Sequence, residues 1–124
     1  MMLRILAAIF GVGFLVLGSI AFFSEFLDSG NLFGVFRFNF EYRIAHLFSG
    51  ILGILCGLYG RNVSQIYLIA IGIIYGLLAA IGFSQPNGMI LGMFDNNRAD
   101  SWFNAAIAAI SISSAFTRNL ASSK

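Results

Sequence analysis

Four apolar runs, three of about 19 to 21 residues and a fourth of about 15, parted by short polar stretches, set the terms on which this chain can fold. About 20 residues of helix are needed to cross about 30 Å of hydrocarbon at 1.5 Å per residue. The first run covers about 3–23, with Arg4 its one charge, the second about 42–60, the third about 63–83 and the fourth about 102–116. None alternates with period two, so helices are expected rather than barrel strands. The predicted helices span about 3–24, 42–60, 63–84 and 101–117. Two residues, Arg61 and Asn62, join the second to the third, which makes those two antiparallel neighbours.

Composition names the solvent. Hydrophobic residues make up 59% of the chain and charged residues 10%. Soluble domains hold about 45–50% apolar residues, so this much apolar surface calls for lipid. The first run is longer than the apolar core of a signal peptide and lacks a small-residue cleavage site after it, so it reads as a retained anchor. The single cysteine, Cys56, lies inside an apolar run, cannot pair within the chain and reads as a packing residue.

The polar stretches repeat. Residues 32–46 return as residues 90–104, so that Gly34 falls on Gly92, Phe36 on Phe94, Asn39 on Asn97 and His46 on Asn104. Each copy joins two apolar runs. The expected fold is therefore all-α: an integral membrane four-helix bundle, a single transmembrane domain over 1–124, built from two parallel (tandem) two-helix repeats at about 1–60 and 61–118. An even number of helices per unit makes both copies enter the membrane in the same direction, about a pseudo-two-fold axis along the membrane normal.

Charge sets the orientation. Arg4, Arg61, Arg118 and Lys124 fall on one side with no acid among them, whereas Glu25, Asp28, Glu41, Asp95 and Asp100 fall on the other with Arg37, Arg43 and Arg98. The Lys and Arg excess marks the cytoplasmic face, placing both termini inside and both polar stretches outside. Tyr42, Tyr59, Tyr67 and Trp102 are then expected at the two interfaces.

Small residues one turn apart predict where helices touch: Gly53 with Gly57, Gly72 with Gly76, and Ala105 with Ala109. His46 is the one histidine, and an ionisable group inside a membrane segment is a candidate functional residue because leaving it unpaired there is costly. Its expected neighbours are Asn104, Asn39, Asn97, Asp100 and Glu41. Two readings stand side by side: an outward-opening polar pocket for an ion, proton or small ligand, or helix caps at Asn39 and at Asn97 or Asp100 with His46 and Asn104 clasping the halves together. Tyr75, at mid-depth in the third helix, is expected to bond to a neighbouring helix. One histidine with acids in loops is a poor match for a zinc site, and a bis-histidine haem would need a dimer, so no metal and no cofactor is expected. No nucleophile–base pair, phosphate loop or nucleotide motif is present, so neither enzymatic activity nor a nucleic-acid partner is expected.

The first polar stretch carries Phe26, Phe33, Phe36, Phe38 and Phe40. So apolar a segment should lie in the interface or fold back over the bundle as a lid, with Gln85, Pro86, Asn87 and Gly88 turning its shorter counterpart.

Phe36, Asn39, His46, Leu47 and Gly50, followed by Asn97, Asp100 and Asn104 before the fourth helix, resemble the small bacterial membrane proteins grouped as domain of unknown function family 4383. The resemblance covers nearly the whole chain and implies a multi-pass protein of the bacterial inner membrane with no assigned activity. That family's second copy usually carries histidine where Asn104 stands, so a paired-histidine site would lack one member here.

Three functions follow for comparison. The leading one is a non-enzymatic structural or accessory subunit whose helices self-associate, with the lipid bilayer and a homo-oligomer or membrane-protein partner around it. The second is an outward-facing small-molecule or ion-binding protein, or minimal transporter, using the cluster around His46. The third is a redox accessory protein binding haem or quinone.

Overall fold

The computed structural model of the chain describes residues 2–23, 27–28, 31–32, 34, 36, 39–85, 88–90, 92 and 94–116. Four helices carry the fold: α1 (Met2–Ile20), α2 (Phe40–Tyr59), α3 (Arg61–Ser84) and α4 (Arg98–Ala115). Between α1 and α2 lies a two-stranded antiparallel ribbon, β1 (Leu27–Asp28) with β2 (Asn31–Leu32), and between α3 and α4 a second, β3 (Gly88–Ile90) with β4 (Phe94–Asn96). Strands this short leave the class all-α. Phe26, Phe33, Arg37, Phe38, Pro86 and Asn87, and the charges at Glu25, Arg118 and Lys124, lie outside the described residues.

The helix ends depart from the apolar runs for local reasons. α1 stops at Ile20, short of the expected 24, because Phe22 N–H bonds to Ser19 O and Phe23 N–H to Ile20 O, tightening the chain into a turn. α2 and α4 start two or three residues earlier than expected, since each begins at an asparagine cap. Asn39 accepts from Tyr42 N–H at 3.2 Å, and Asn97 accepts from Asp100 N–H at 2.9 Å. The Asp100 carboxylate returns a bond to Asn97 N–H at 3.0 Å, completing a capping box.

α1 packs chiefly on α2, and α3 chiefly on α4, with thinner contact between the two pairs. Close approach depends on small residues. A methyl group on Gly11 would stand 2.7 Å from Gly50 O and 2.9 Å from the Ile54 side chain, and one on Gly53 would stand 2.8 Å from Ala7 O. In the other pair, Gly72 meets Ile112 and Ala108. Backbones this near gain dispersion contact along their length.

The expected packing set needs two corrections. In α4 the buried face carries Ser101, Asn104, Ala108, Ser111 and Ala115, while Ala109 is exposed and Ala105 only half-buried. The α4 side chains that must reach Leu68 and Tyr42 lie on the Asn104 face, and Ala105 and Ala109 are turned about 100° away from it. In α1, Ala7, Gly11 and Gly18 are buried at the α2 contact, a small-residue series that sequence reading passed over.

Both ribbons lie at one end of the bundle, with Arg4 and Arg61 at the other. Arg4 donates from its guanidinium to Gly57 O and Leu58 O, each at 2.8 Å, capping carbonyls that end α2. At the far end of the other pair, Gln65 donates to Ala115 O at 2.8 Å. Leu32 of the first ribbon and Ile90 of the second are fully buried, each plugging the ribbon end of the core. Gly34 and Gly92 supply the turns, with φ of 73° and 69°, a left-handed conformation that favours glycine. Each turn sits inside the same kind of pairing, Leu32 with Phe36 and Ile90 with Phe94.

Candidate functional site at His46

His46 stands one turn after Tyr42 on the buried face of α2, the i, i+4 spacing that puts two side chains in line. It is fully buried. Its Nδ1 lies 2.9 Å from Tyr42 O, and since a carbonyl only accepts, Nδ1–H is the donor.

Every helix sends an aromatic ring to this imidazole. Phe14 of α1 and Tyr75 of α3 meet it edge-on at 5.2 and 5.6 Å, Tyr42 of α2 at 6.1 Å, and Phe103 of α4 lies nearly parallel at 6.1 Å. Phe14 and Tyr75 also stack on each other at 5.2 Å. Phe36, from the first ribbon segment, covers Phe103 at 5.2 Å. The box is therefore walled by four rings and roofed from the ribbon end.

Polar bonds run around the box and tie the two helix pairs together. Asn104, fully buried in α4, donates to the Tyr42 hydroxyl at 2.9 Å. The Tyr75 and Ser49 hydroxyls lie 3.1 Å apart, and Tyr67 donates to Ser49 O at 2.7 Å. Lower down, Ser111 donates to Leu68 O between α4 and α3, and Ser64 donates to Gly60 O at 2.6 Å and Cys56 O at 3.0 Å. Cys56 is a free, half-buried thiol packed against the core.

The six residues expected to cluster divide three ways. His46 and Asn104 meet through Tyr42, one bonding its carbonyl and the other its hydroxyl. Asn39, Asn97 and Asp100 act at the starts of α2 and α4, Asp100 fully buried there. Glu41 is exposed and accepts from Asn39 at 3.1 Å, so it does not belong with His46. Five positions apart on a helix, the two point about 140° away from each other.

Tyr42 is the residue that sequence reading misplaced. Expected at an interface with Tyr67, it is the hinge of the buried cluster, and Tyr67 is equally a core residue. Its position four residues before the lone histidine was the available signal. Tyr59 and Trp102, expected at the interfaces, are exposed, at 78% and 63%. Tyr75 bonds to a neighbouring helix, as expected.

Such a box excludes water and fixes the imidazole from several sides, which suits it to holding helices in register. Two apolar grooves flank it. One, of about 330 Å³ between α1 and α4, has Phe14 and Phe103 in its lining, and the other, of about 390 Å³ between α2 and α3, has Ser49 and Tyr75. Among the described residues no three His, Cys, Asp or Glu side chains come together to hold a metal ion.

Residues 4–117 match the model of the family described as Domain of unknown function (DUF4383). No curated protein and no solved structure matches the chain.

Proposed function

This chain belongs to the DUF4383 family, whose function is unknown, and on that premise we propose that it is a non-enzymatic membrane-embedded four-helix bundle serving as a structural or accessory subunit. The observation that carries this reading is the Asn104–Tyr42 bond beside the sealed His46 box. Of the polar groups that could have formed an open pocket, Asn104 is spent on holding one helix pair to the other, and Asn39, Asn97 and Asp100 are spent on capping their own helices.

Support for the membrane setting comes from an inside-out distribution of side chains. α1, α2 and α3 are each long and apolar enough to cross a bilayer. Large apolar residues such as Ile9, Phe48, Leu55, Ile66, Leu77 and Ile110 point outward, while His46, Ser64, Asp100, Ser101, Asn104 and Ser111 are buried. α4 is the least apolar helix because its polar residues lie on the face it buries, which is where a spanning helix keeps them. Exposed aromatics at the ribbon end (Phe22, Phe23, Phe40, Phe83, Trp102) and at the other end (Tyr59, Phe116) fit two interfacial belts. The Lys and Arg excess, four on the side of Arg4 and Arg61 against three on the ribbon side, supports ribbons outside and both termini in the cytoplasm of a bacterial inner membrane.

A tandem repeat is supported by burial as well as by sequence. The buried positions of α2, namely Tyr42, His46, Gly50, Gly53 and Gly57, recur 58 residues on as Asp100, Asn104, Ala108, Ser111 and Ala115, all buried. Those of α1 (Leu3, Ala7, Gly11, Phe14, Gly18) recur 61 residues on as Ser64, Leu68, Gly72, Tyr75 and Ala79, again all buried. The Gly11 contact with Gly50 and Ile54 has its counterpart in Gly72 with Ala108 and Ile112. On this reading the pseudo-axis passes between the stacked rings of Phe14 and Tyr75. Gly53, Gly57 and Gly72 are used inside the bundle, so any self-association would use outward faces instead.

The test is cysteine accessibility in intact cells, in a Cys56→Ala background. Glu41→Cys and Arg98→Cys should be labelled by an impermeant reagent from outside, and Asn62→Cys only after permeabilisation. Labelling of Glu41→Cys and Arg98→Cys from opposite sides would discard the proposal. For the subunit role, cross-linking in native membranes should capture a partner; recovery of isolated monomers alone would count against it.

A further inference from the structure

The groove between α2 and α3 holds a donor that the bundle does not use. It is lined by Ala45, Phe48, Ser49, Tyr75, Leu78 and Ile81 among others, and is apolar except for the two hydroxyls of Ser49 and Tyr75. These hydroxyls lie 3.1 Å apart and either can donate to the other. Two hydroxyls carry two protons, and their mutual bond takes one. Among the described residues neither hydroxyl makes another hydrogen bond. Tyr75 is 2% exposed and Ser49 half-buried, so an occupant of the groove reaches the pair from the Ser49 side. A donor left unmet in an apolar groove is costly, and an occupant bearing an acceptor would recover that cost.

Depth narrows the occupant. Ser49 is nine residues along α2 from Phe40, about 13 Å below the ribbon-end interface at 1.5 Å per residue. Half the hydrocarbon thickness is about 15 Å, so on the membrane placement proposed above the hydroxyl pair lies near the bilayer midplane. Ester carbonyls of phospholipids are held at the interface and do not lie at that depth. An uncharged head group on a long apolar tail does enter it.

We propose that the α2–α3 groove binds an uncharged, lipid-soluble carbonyl compound of the kind the long-chain quinones represent, its carbonyl oxygen accepting the spare proton of the Ser49–Tyr75 pair. The groove of about 390 Å³ takes a six-membered ring with part of its tail, between Phe48 at the rim and Tyr75 at the floor. The groove between α1 and α4 serves as an internal control. At the positions equivalent to Tyr75 and Ser49 it carries Phe14 and Ile107, so no hydroxyl stands there; the hydroxyl in its lining, Ser114, lies seven residues along α4 from Ile107, about 10 Å away at 1.5 Å per residue.

The experiment uses the full chain in lipid nanodiscs, a photoactivatable azido-benzoquinone with a ten-carbon tail as probe, and two competitors: decyl-benzoquinone and decylbenzene, which lacks the oxygens. Labelled peptides should map to residues 45–49 and 74–81, and decyl-benzoquinone should displace the probe about tenfold more effectively than decylbenzene, the ratio one hydrogen bond provides. In Tyr75→Phe with Ser49→Ala that preference should vanish while the circular dichroism stays near wild type and the thermal midpoint falls by no more than the loss of one interhelical hydrogen bond brings. Equal competition by the two compounds in wild type, an unchanged preference in the double variant, or labelling of the α1–α4 groove to the same extent would overturn the site. Resistance of the chain to carbonate extraction, measured on the same samples, separates failure of this site from failure of the membrane placement.

Discussion

Asn104 and Tyr42, 62 positions apart in the chain, are joined by a hydrogen bond of 2.9 Å from the Asn104 amide to the Tyr42 hydroxyl, and this bond links α4 to α2 across the bundle core. Interhelical bonds of this type are worth about 0.6 to 2 kcal/mol in a membrane bundle. Tyr42→Phe should therefore cost about 1 kcal/mol in reversible unfolding by denaturing detergent. Tyr42→Phe combined with Asn104→Leu should cost less than the sum of the two single changes, because both remove one shared bond. Strictly additive costs in that double-mutant cycle would show that the bond contributes nothing.

His46 fills a box of four rings, so its volume should matter more than its basicity. His46→Ala opens a cavity in the core and should cost about 2–4 kcal/mol. His46→Phe, which keeps a ring in the box, should cost less than half as much in the same unfolding assay. If His46→Phe unfolds the protein while His46→Asn does not, polarity at that position is what the fold requires.

The Gly11–Gly50 contact leaves no room for a methyl group, since one on Gly50 would stand 2.7 Å from Gly11 O. Gly50→Ala should separate α1 from α2 and cost at least about 2 kcal/mol. Gly13, with nothing within 4 Å of an added methyl, is the control. Gly13→Ala should be neutral or stabilising by up to about 1 kcal/mol, as alanine favours helix. Thermal midpoints of the two variants in one detergent check both statements.

The capping box at the start of α4 gives a fourth expectation. Asn97→Ala removes an acceptor for Asp100 N–H and should cost about 1 kcal/mol, whereas Asn97→Asp or Asn97→Ser should cost a few tenths. Hydrogen exchange at the first-turn amides of α4 should quicken in Asn97→Ala alone. Equal protection in all three variants would remove the cap from the account.

Much of this architecture is legible in the sequence because its causes are local or periodic. An apolar run near 20 residues long can satisfy its backbone as a helix without help from elsewhere, so the four helices could be read before any contact was known. Asn39 and Asn97 cap because their side chains bond amides three residues on, and Gly34 and Gly92 turn because glycine tolerates positive φ. Chain sequence also fixed that the two polar stretches match, with Gly34, Asn39 and His46 falling on Gly92, Asn97 and Asn104. Helix rotation was another matter. On helices apolar nearly all round, one-dimensional periodicity does not distinguish the face that meets a neighbour from the face that meets lipid. Only packing in three dimensions decided that His46 points inward, that Tyr42 joins it to Asn104, that Glu41 faces away and that α4 uses Ala108 rather than Ala109. Those choices depend on which backbones approach through Gly11, Gly50 and Gly72, a property of pairs of helices that no single helix contains.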